Sequence, residues 1–240
     1  MDKSRIVIIL GTAHLRTTPG KCSPDGKFFE AIYSRERVEA IAAKLRAYGY
    51  RVVIDYESLE PKPEWTVARK KAGYGAEQQK ELDYRVQRVN ALCRQHGAEN
   101  CLYVSLHVNG AGDDGKWHGS GGWSAYTSVG QTKGDVLAEC LYDAAINNLK
   151  EYFNIMQEGK LKGEYGEKQT PIRMDKRDGD RDLEAHLYVL KNTSCPAVLT
   201  ENMFQDNRTD VAWLTSDEGR HAIERLHVEG IIDYIQKFMS

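Results

Sequence analysis

The chain has 240 residues, enough for one large domain or two small ones at about 150 residues per domain. Hydrophobic residues make up 41% and charged residues 28%, which supplies apolar material for a core and excludes disorder as the main state. A net charge of −2 excludes a strongly basic nucleic-acid binder, and no apolar run approaches the roughly 20 residues of a membrane span.

Ile6-Val7-Ile8-Ile9-Leu10 is a continuous aliphatic run ending at Gly11, the pattern of a strand buried on both faces. A Gly/Pro/Thr/Ser-rich loop follows over 11–29. Residues 34–48 carry Val38, Ile41, Ala42 and Leu45 at helical spacing, and Gly49 stops them. Arg51-Val52-Val53-Ile54 reads as a second strand, completing a strand–helix–strand crossover. Residues 57–64, with Pro61 and Pro63, read as a linker. The spacing of Leu82, Val86, Val89 and Leu92 predicts a helix over 77–96, and residues 101–106 a third strand running into His107-Val108-Asn109-Gly110. After a Gly/Asp/Trp loop at 111–122, residues 123–127 alternate like a strand and 136–153 read as a helix. Residues 157–182 are highly charged and read as a surface excursion. Residues 187–190 and 197–200 are strand-like, Glu201 follows directly, and 218–238 read as a closing helix. With no internal repeat and no shift in composition, the expected architecture is one α/β domain over 1–240, a twisted, mostly parallel β-sheet flanked by helices on both faces.

The five cysteines are widely spaced, with no C-x-x-C pair, and read mainly as small buried hydrophobes rather than a disulfide framework or a thiolate site. The apolar stretch near the start is too short for a secretory h-region and reads as a strand, so no export signal is visible.

In an open α/β sheet, ligands bind beyond the carboxyl ends of the strands. The first strand leads to His14, the third to His107 and a late one to Glu201, while Glu30 precedes the first predicted helix. Taken singly, the histidines could be ordinary loop or core residues, and Glu36 and Glu39 compete with Glu30. Together, two imidazoles and two carboxylates suit a catalytic zinc site, in which three protein ligands leave a position for water and the remaining acid acts as general base.

Four blocks carry a resemblance, in order: Ile8-Ile9-Leu10-Gly11-Thr12-Ala13-His14 with Thr18-Pro19-Gly20-Lys21; Phe29-Glu30-Ala31-Ile32-Tyr33-Ser34-Arg35-Glu36; Val104-Ser105-Leu106-His107-Val108-Asn109; and Cys195-Pro196-Ala197-Val198-Leu199-Thr200-Glu201-Asn202-Met203-Phe204. In these the chain resembles the zinc-dependent N-acetylmuramoyl-L-alanine amidases of the amidase-3 type. Two departures stand out. Ala13-His14-Leu15 replaces the family's glycine-histidine-glycine turn, and Asn202 follows the acid where glycine or a small residue is frequent.

The resemblance implies a single zinc ion (Zn2+) held by His14, Glu30 and His107, with Glu201 as the catalytic general base and then acid. It implies hydrolysis of the amide between the lactyl group of N-acetylmuramic acid and the L-alanine of peptidoglycan stem peptides. Asn109, Trp117 and Arg173 are the expected substrate-binding residues. Arg173, Arg177 and Arg181 are read either as cations for stem-peptide carboxylates or as a solvated charged surface. The competing readings are a zinc peptidase acting within the stem peptide, a non-catalytic wall-binding module, and a cysteine hydrolase built on Cys101 or Cys195. The expected partner is peptidoglycan or a muropeptide, with no nucleic acid and no membrane span, and a monomer is favoured. The expected place of action is the cell wall, reached after loss of a leader or as a phage-type lysin.

Overall fold

Val7–Thr12 (β1) lies between Arg51–Ile54 (β2) and Cys101–Asn109 (β3), parallel to both. The computed structural model describes residues 2–157, 171–175, 177 and 179–239. β3 pairs in parallel with Ala197–Phe204 (β6), and β6 pairs antiparallel with Ser124–Thr127 (β4), which carries the two-residue β5, Leu183–Glu184, at its edge. The sheet order is β2-β1-β3-β6-β4-β5, so the predominantly parallel sheet has one antiparallel seam.

Alternation along the central strands sends side chains into two layers. Ile8 and Leu10 of β1 and Leu102 and Val104 of β3 pack with Glu30–Ala47 (α1), Lys133–Asn148 (α4) and Asp217–Phe238 (α8) through Ile41, Leu141 and Ile231. Val7, Ile9 and Tyr103 meet Val89 and Cys93 of Tyr74–His96 (α3) and Val189 and Leu190 of Tyr188–Asn192 (α6). Coverage of both faces explains why these strands read as continuous apolar runs. α4 and α8 approach closely at Gly230, where a Cβ would lie 2.8 Å from a Leu141 methyl and 2.9 Å from its Cα.

The structure corrects several sequence assignments. Residues 187–190 supply the start of helix α6 rather than a strand; a short apolar run does not distinguish the two, and here Val189 and Leu190 close one end of the second layer. The linker at 57–64 runs into an unanticipated helix, Pro63–Ala72 (α2), whose first residue is a proline with no amide to satisfy. The helix expected over 136–153 is broken at Leu149 into α4 and Lys150–Gln157 (α5). Arg208–Thr215 (α7) was not anticipated; Asn207 caps it by accepting from the amides of Thr209 and Asp210. Much of the 157–182 excursion lies outside the described residues, but Ile172 is buried in the first layer. Four cysteines are buried, Cys22 is half-buried, and all five are free.

α8 anchors β6 through His227. Its Nδ1–H donates to the Ile223 carbonyl at 2.7 Å, so Nε2 accepts from the Thr200 hydroxyl at 2.9 Å. Burial holds this imidazole down at about 4. The unfolded chain therefore takes up a proton near pH 6.5 that the folded protein refuses until about pH 4. The resulting stability is complete above pH 6.5 and falls as pH drops, by about 3 kcal/mol at pH 4. Urea titrations at pH 7 and pH 4.5 should show this component vanish in His227→Gln; an identical pH difference in both proteins would remove His227 from the explanation.

Candidate metal centre

β1 and β3 run in register up to the pair Thr12 and Leu106, and both histidines lie just beyond it. His107 is the next residue of β3. His14 lies two residues past the end of β1, after Ala13, and takes a left-handed backbone, φ 42°. That conformation stands where the Ala13-His14-Leu15 departure from a glycine-flanked turn was noted. Glu30 is the first residue of α1, which begins one turn earlier than its apolar spacing suggests, so the acid belongs to the helix rather than preceding it.

β6 carries the fourth group. Glu201 pairs with His107, yet Asn109 pairs with Phe204, so β6 holds one extra residue at a bulge, with Met203 in the left-handed region at φ 63°. Directly paired residues on parallel strands share a face of the sheet, which sets Glu201 beside His107. The Asn202 side chain tightens this bulge. Its amide donates to the His107 carbonyl at 2.9 Å, and its oxygen accepts from the Trp123 indole at 3.0 Å.

The three predicted ligands converge. One Glu30 oxygen lies 3.0 Å from His107 Nδ1 and accepts the Val108 amide at 3.0 Å; the other lies 3.6 Å from His14 Nε2. The imidazoles meet nearly at right angles, with ring centroids 5.0 Å apart. One candidate ligand atom from each residue falls within 4.8 Å of the other two. Burial pushes the His14 imidazole down to about 3, against the pull of the Glu30 charge, so it is neutral at pH 7 and keeps a lone pair. Burial also opposes the charge on Glu30, but His14, His107 and Lys21 outweigh it and hold the carboxyl at about 2. Glu30 Oε2 is buried without a hydrogen-bond partner. An ionised carboxylate with an unsatisfied oxygen facing two imidazoles fits a divalent cation of the zinc class, which takes nitrogen and oxygen ligands.

Glu201 has the opposite character. Burial, then the nearby Glu30 charge, raise its carboxyl well above the usual range, with Lys21 opposing, and its Oε2 is enclosed without a hydrogen-bond partner. A cavity of about 260 Å³ opens over this group, lined by His14, Lys21, His107 and Glu201, with Gln78 and Tyr188 among its walls.

The expected substrate residues separate. The Tyr126 phenol lies among Glu201, Arg173 and the Asn109 side chain, and burial followed by the Glu201 charge raises it. Arg173 stacks its guanidinium over the Phe204 ring, 5.3 Å from the centroid. Asn109 accepts the Gly110 amide. Trp117 is half-buried with the Arg208 guanidinium over its ring, whereas Trp123 is a core residue. Arg181 is held by Glu139 and Asp143, and Arg177 pairs with Asp175. Cys101 and Cys195 are buried, which disfavours the cysteine-hydrolase reading.

Two features escaped sequence reasoning. Lys21 Nζ lies 3.9 Å from Glu30 Oε2; its place in the Thr18-Pro19-Gly20-Lys21 block was the available signal. Beneath the cavity, buried Arg85 binds Asp55 at 2.7 Å, Glu81 at 2.8 Å and the Thr12 hydroxyl at 3.2 Å. Glu81 and Arg85 are a readable i,i+4 pair, but nothing in the sequence joins them to Asp55.

The chain matches the family model described as N-acetylmuramoyl-L-alanine amidase over residues 6–233. The endolysin of Bacillus phage SPP1 is 33% identical over 158 residues, which cover 65% of this chain and 45% of the endolysin, so the chain spans less than half of that relative. Among solved structures, the CwlD amidase of Clostridioides difficile, in complex with the GerS lipoprotein, matches with a TM-score of 0.67 at 18% identity, covering 96% of this chain and 98% of CwlD. The catalytic domain of CwlV, an N-acetylmuramoyl-L-alanine amidase from Bacillus (Paenibacillus) polymyxa var. colistinus, matches at 0.65 and 16% identity, covering 96% and 98%. These two likenesses are of fold. On the family match across nearly its whole length, the chain belongs to the N-acetylmuramoyl-L-alanine amidase family.

Proposed function

We propose that this chain, acting over 1–240 as one catalytic domain, hydrolyses the amide between the lactyl group of N-acetylmuramic acid and the L-alanine of peptidoglycan stem peptides, with cell-wall material as substrate. The observation that carries this reading is the convergence of His14, Glu30 and His107 with Glu201 paired beside His107. His14, Glu30 and His107 would hold one zinc ion, and that ion would supply a Lewis acid to lower the pKa of water and polarise the scissile carbonyl.

Glu201, paired beside His107, takes a proton from the attacking water as its oxygen bonds to the lactyl carbonyl carbon. The carbon–nitrogen bond then breaks, and Glu201 passes the proton to the departing amine of L-alanine. Lys21 tempers the negative charge of Glu30 and Glu201. A muropeptide digest should yield a free N-terminal L-alanine, in a reaction stopped by chelation and restored by zinc. A new terminus within the stem peptide would establish the peptidase reading instead, and unchanged turnover in metal-free protein would exclude this chemistry.

In this reading Asn109, Tyr126 and Arg173, grouped on the Glu201 side of the site, contact the substrate, and Trp117 offers an aromatic surface to glycan. Arg173, its face on Phe204, would bind a stem-peptide carboxylate through its guanidinium. Arg173→Ala should raise KM about 10- to 100-fold, from the ~1.5–3 kcal/mol of a charged hydrogen bond, with kcat nearly unchanged. The loss should shrink on a muropeptide whose stem carboxylates are amidated. Equal losses on both substrates would return Arg173 to a packing role.

A further inference from the structure

Ser34 lies one helical turn beyond Glu30, on the same side of α1, and is buried. Its hydroxyl accepts from the Ala13 amide at 2.8 Å and donates to the Leu106 carbonyl at 2.7 Å. One oxygen atom therefore bridges the two strands at the end of their ladder, at Leu106 of the last pair and at Ala13 just beyond Thr12, and each anchor residue is followed directly by a histidine, His14 on one side and His107 on the other. The adjacent Arg35 fixes the rest of the first exit. Its guanidinium donates to the carbonyls of Ala13 and His14, both at 2.9 Å, and also to Ala31, Glu57 and Ser58.

We propose that Ser34, supported by Arg35, is a positioning residue for the metal centre, and that its hydroxyl bridge sets the separation of the two histidine backbones at the distance a bound cation requires. This deepens, and rests on, the zinc reading above. β1 and β3 hold each other only as far as Thr12 and Leu106; beyond that β6 still holds His107, whereas Ala13 and His14 lie past the end of β1 and take no constraint from the β1–β3 ladder. The left-handed backbone of His14 is an uncommon conformation for a residue with a Cβ, and it persists where its surroundings over-determine it. The Ser34 and Arg35 bonds to Ala13 and His14 supply that constraint. The same first two turns of α1 present Glu30 to both imidazoles, so one rigid element carries a ligand and spaces the other two.

The test is zinc affinity of the folded metal-free protein, by competition with a chromogenic chelator, beside its melting temperature without metal. Ser34→Ala should weaken zinc binding about 10- to 100-fold, the usual cost of losing a group that orients metal ligands. Ser34→Thr, which keeps the hydroxyl, should stay within a few-fold of the parent. Should Ser34→Ala fail to fold, Arg35→Lys takes its place; it cannot span both carbonyls, and about a 10-fold loss is expected. A lowered melting temperature with unchanged zinc affinity would overturn the positioning role. His107→Ala separates the two levels: if it binds zinc as tightly as the parent, the underlying metal reading fails, whereas loss there with full retention in Ser34→Ala sinks the positioning proposal alone.

Discussion

Glu201→Gln should lower kcat by about 10²- to 10⁴-fold, with little change in zinc affinity or melting temperature. The substitution keeps the shape of the side chain and removes only its ability to carry a proton between water and the leaving amine. Zinc affinity should hold because the three converging ligands are His14, Glu30 and His107. Stability should hold because burial and the Glu30 charge favour the neutral acid form of Glu201 in the metal-free protein, so the amide replaces one neutral group of the same shape by another. Steady-state kinetics on a purified muropeptide, with metal content measured on the same sample, decides the matter. Wild-type turnover would mean that another group moves the proton, and parallel loss of metal would mean that Glu201 is a ligand.

Arg85→Met should be the most destabilising single substitution near the site. Arg85, Asp55 and Glu81 are all buried, and Asp55 further accepts from the Tyr103 hydroxyl at 2.9 Å and the Thr12 amide at 3.0 Å. Removing the guanidinium leaves two enclosed carboxylates without their cation, at a cost of about 3–5 kcal/mol. For a chain of this length that corresponds to a melting temperature lower by about 10 °C. Replacing all three charges, as Arg85→Met with Asp55→Leu and Glu81→Leu, should recover much of the loss, because the cost comes from the stranded acids rather than from a missing attraction. A small shift in Arg85→Met would show that water reaches the carboxylates. The network also grips Thr12, two residues before His14, so the single variant should weaken zinc binding while the fold persists.

The sequence carried the central strands well because both faces of β1 and β3 are covered, and residues buried on both sides must be apolar throughout. It also carried the two candidate histidines, since His14 and His107 stand at strand ends whatever their neighbours do. It misled at α6, where four apolar residues suit either periodicity, and at α2 and α7, whose short amphipathic turns are stabilised by packing and capping more than by propensity.

From residue order alone came the class of fold, the polar groups at its strand ends and the family blocks that join them, because hydrophobic pattern and local motif are properties of neighbouring residues. Only the folded chain decided that Glu30 rather than Glu36 or Glu39 faces the histidines, that a bulge sets Glu201 beside His107, and that one serine hydroxyl spans the two exits. Those are matters of ångströms between segments tens of residues apart. They are fixed by packing, strand register and desolvation, which act across the fold and leave no periodic trace along the chain.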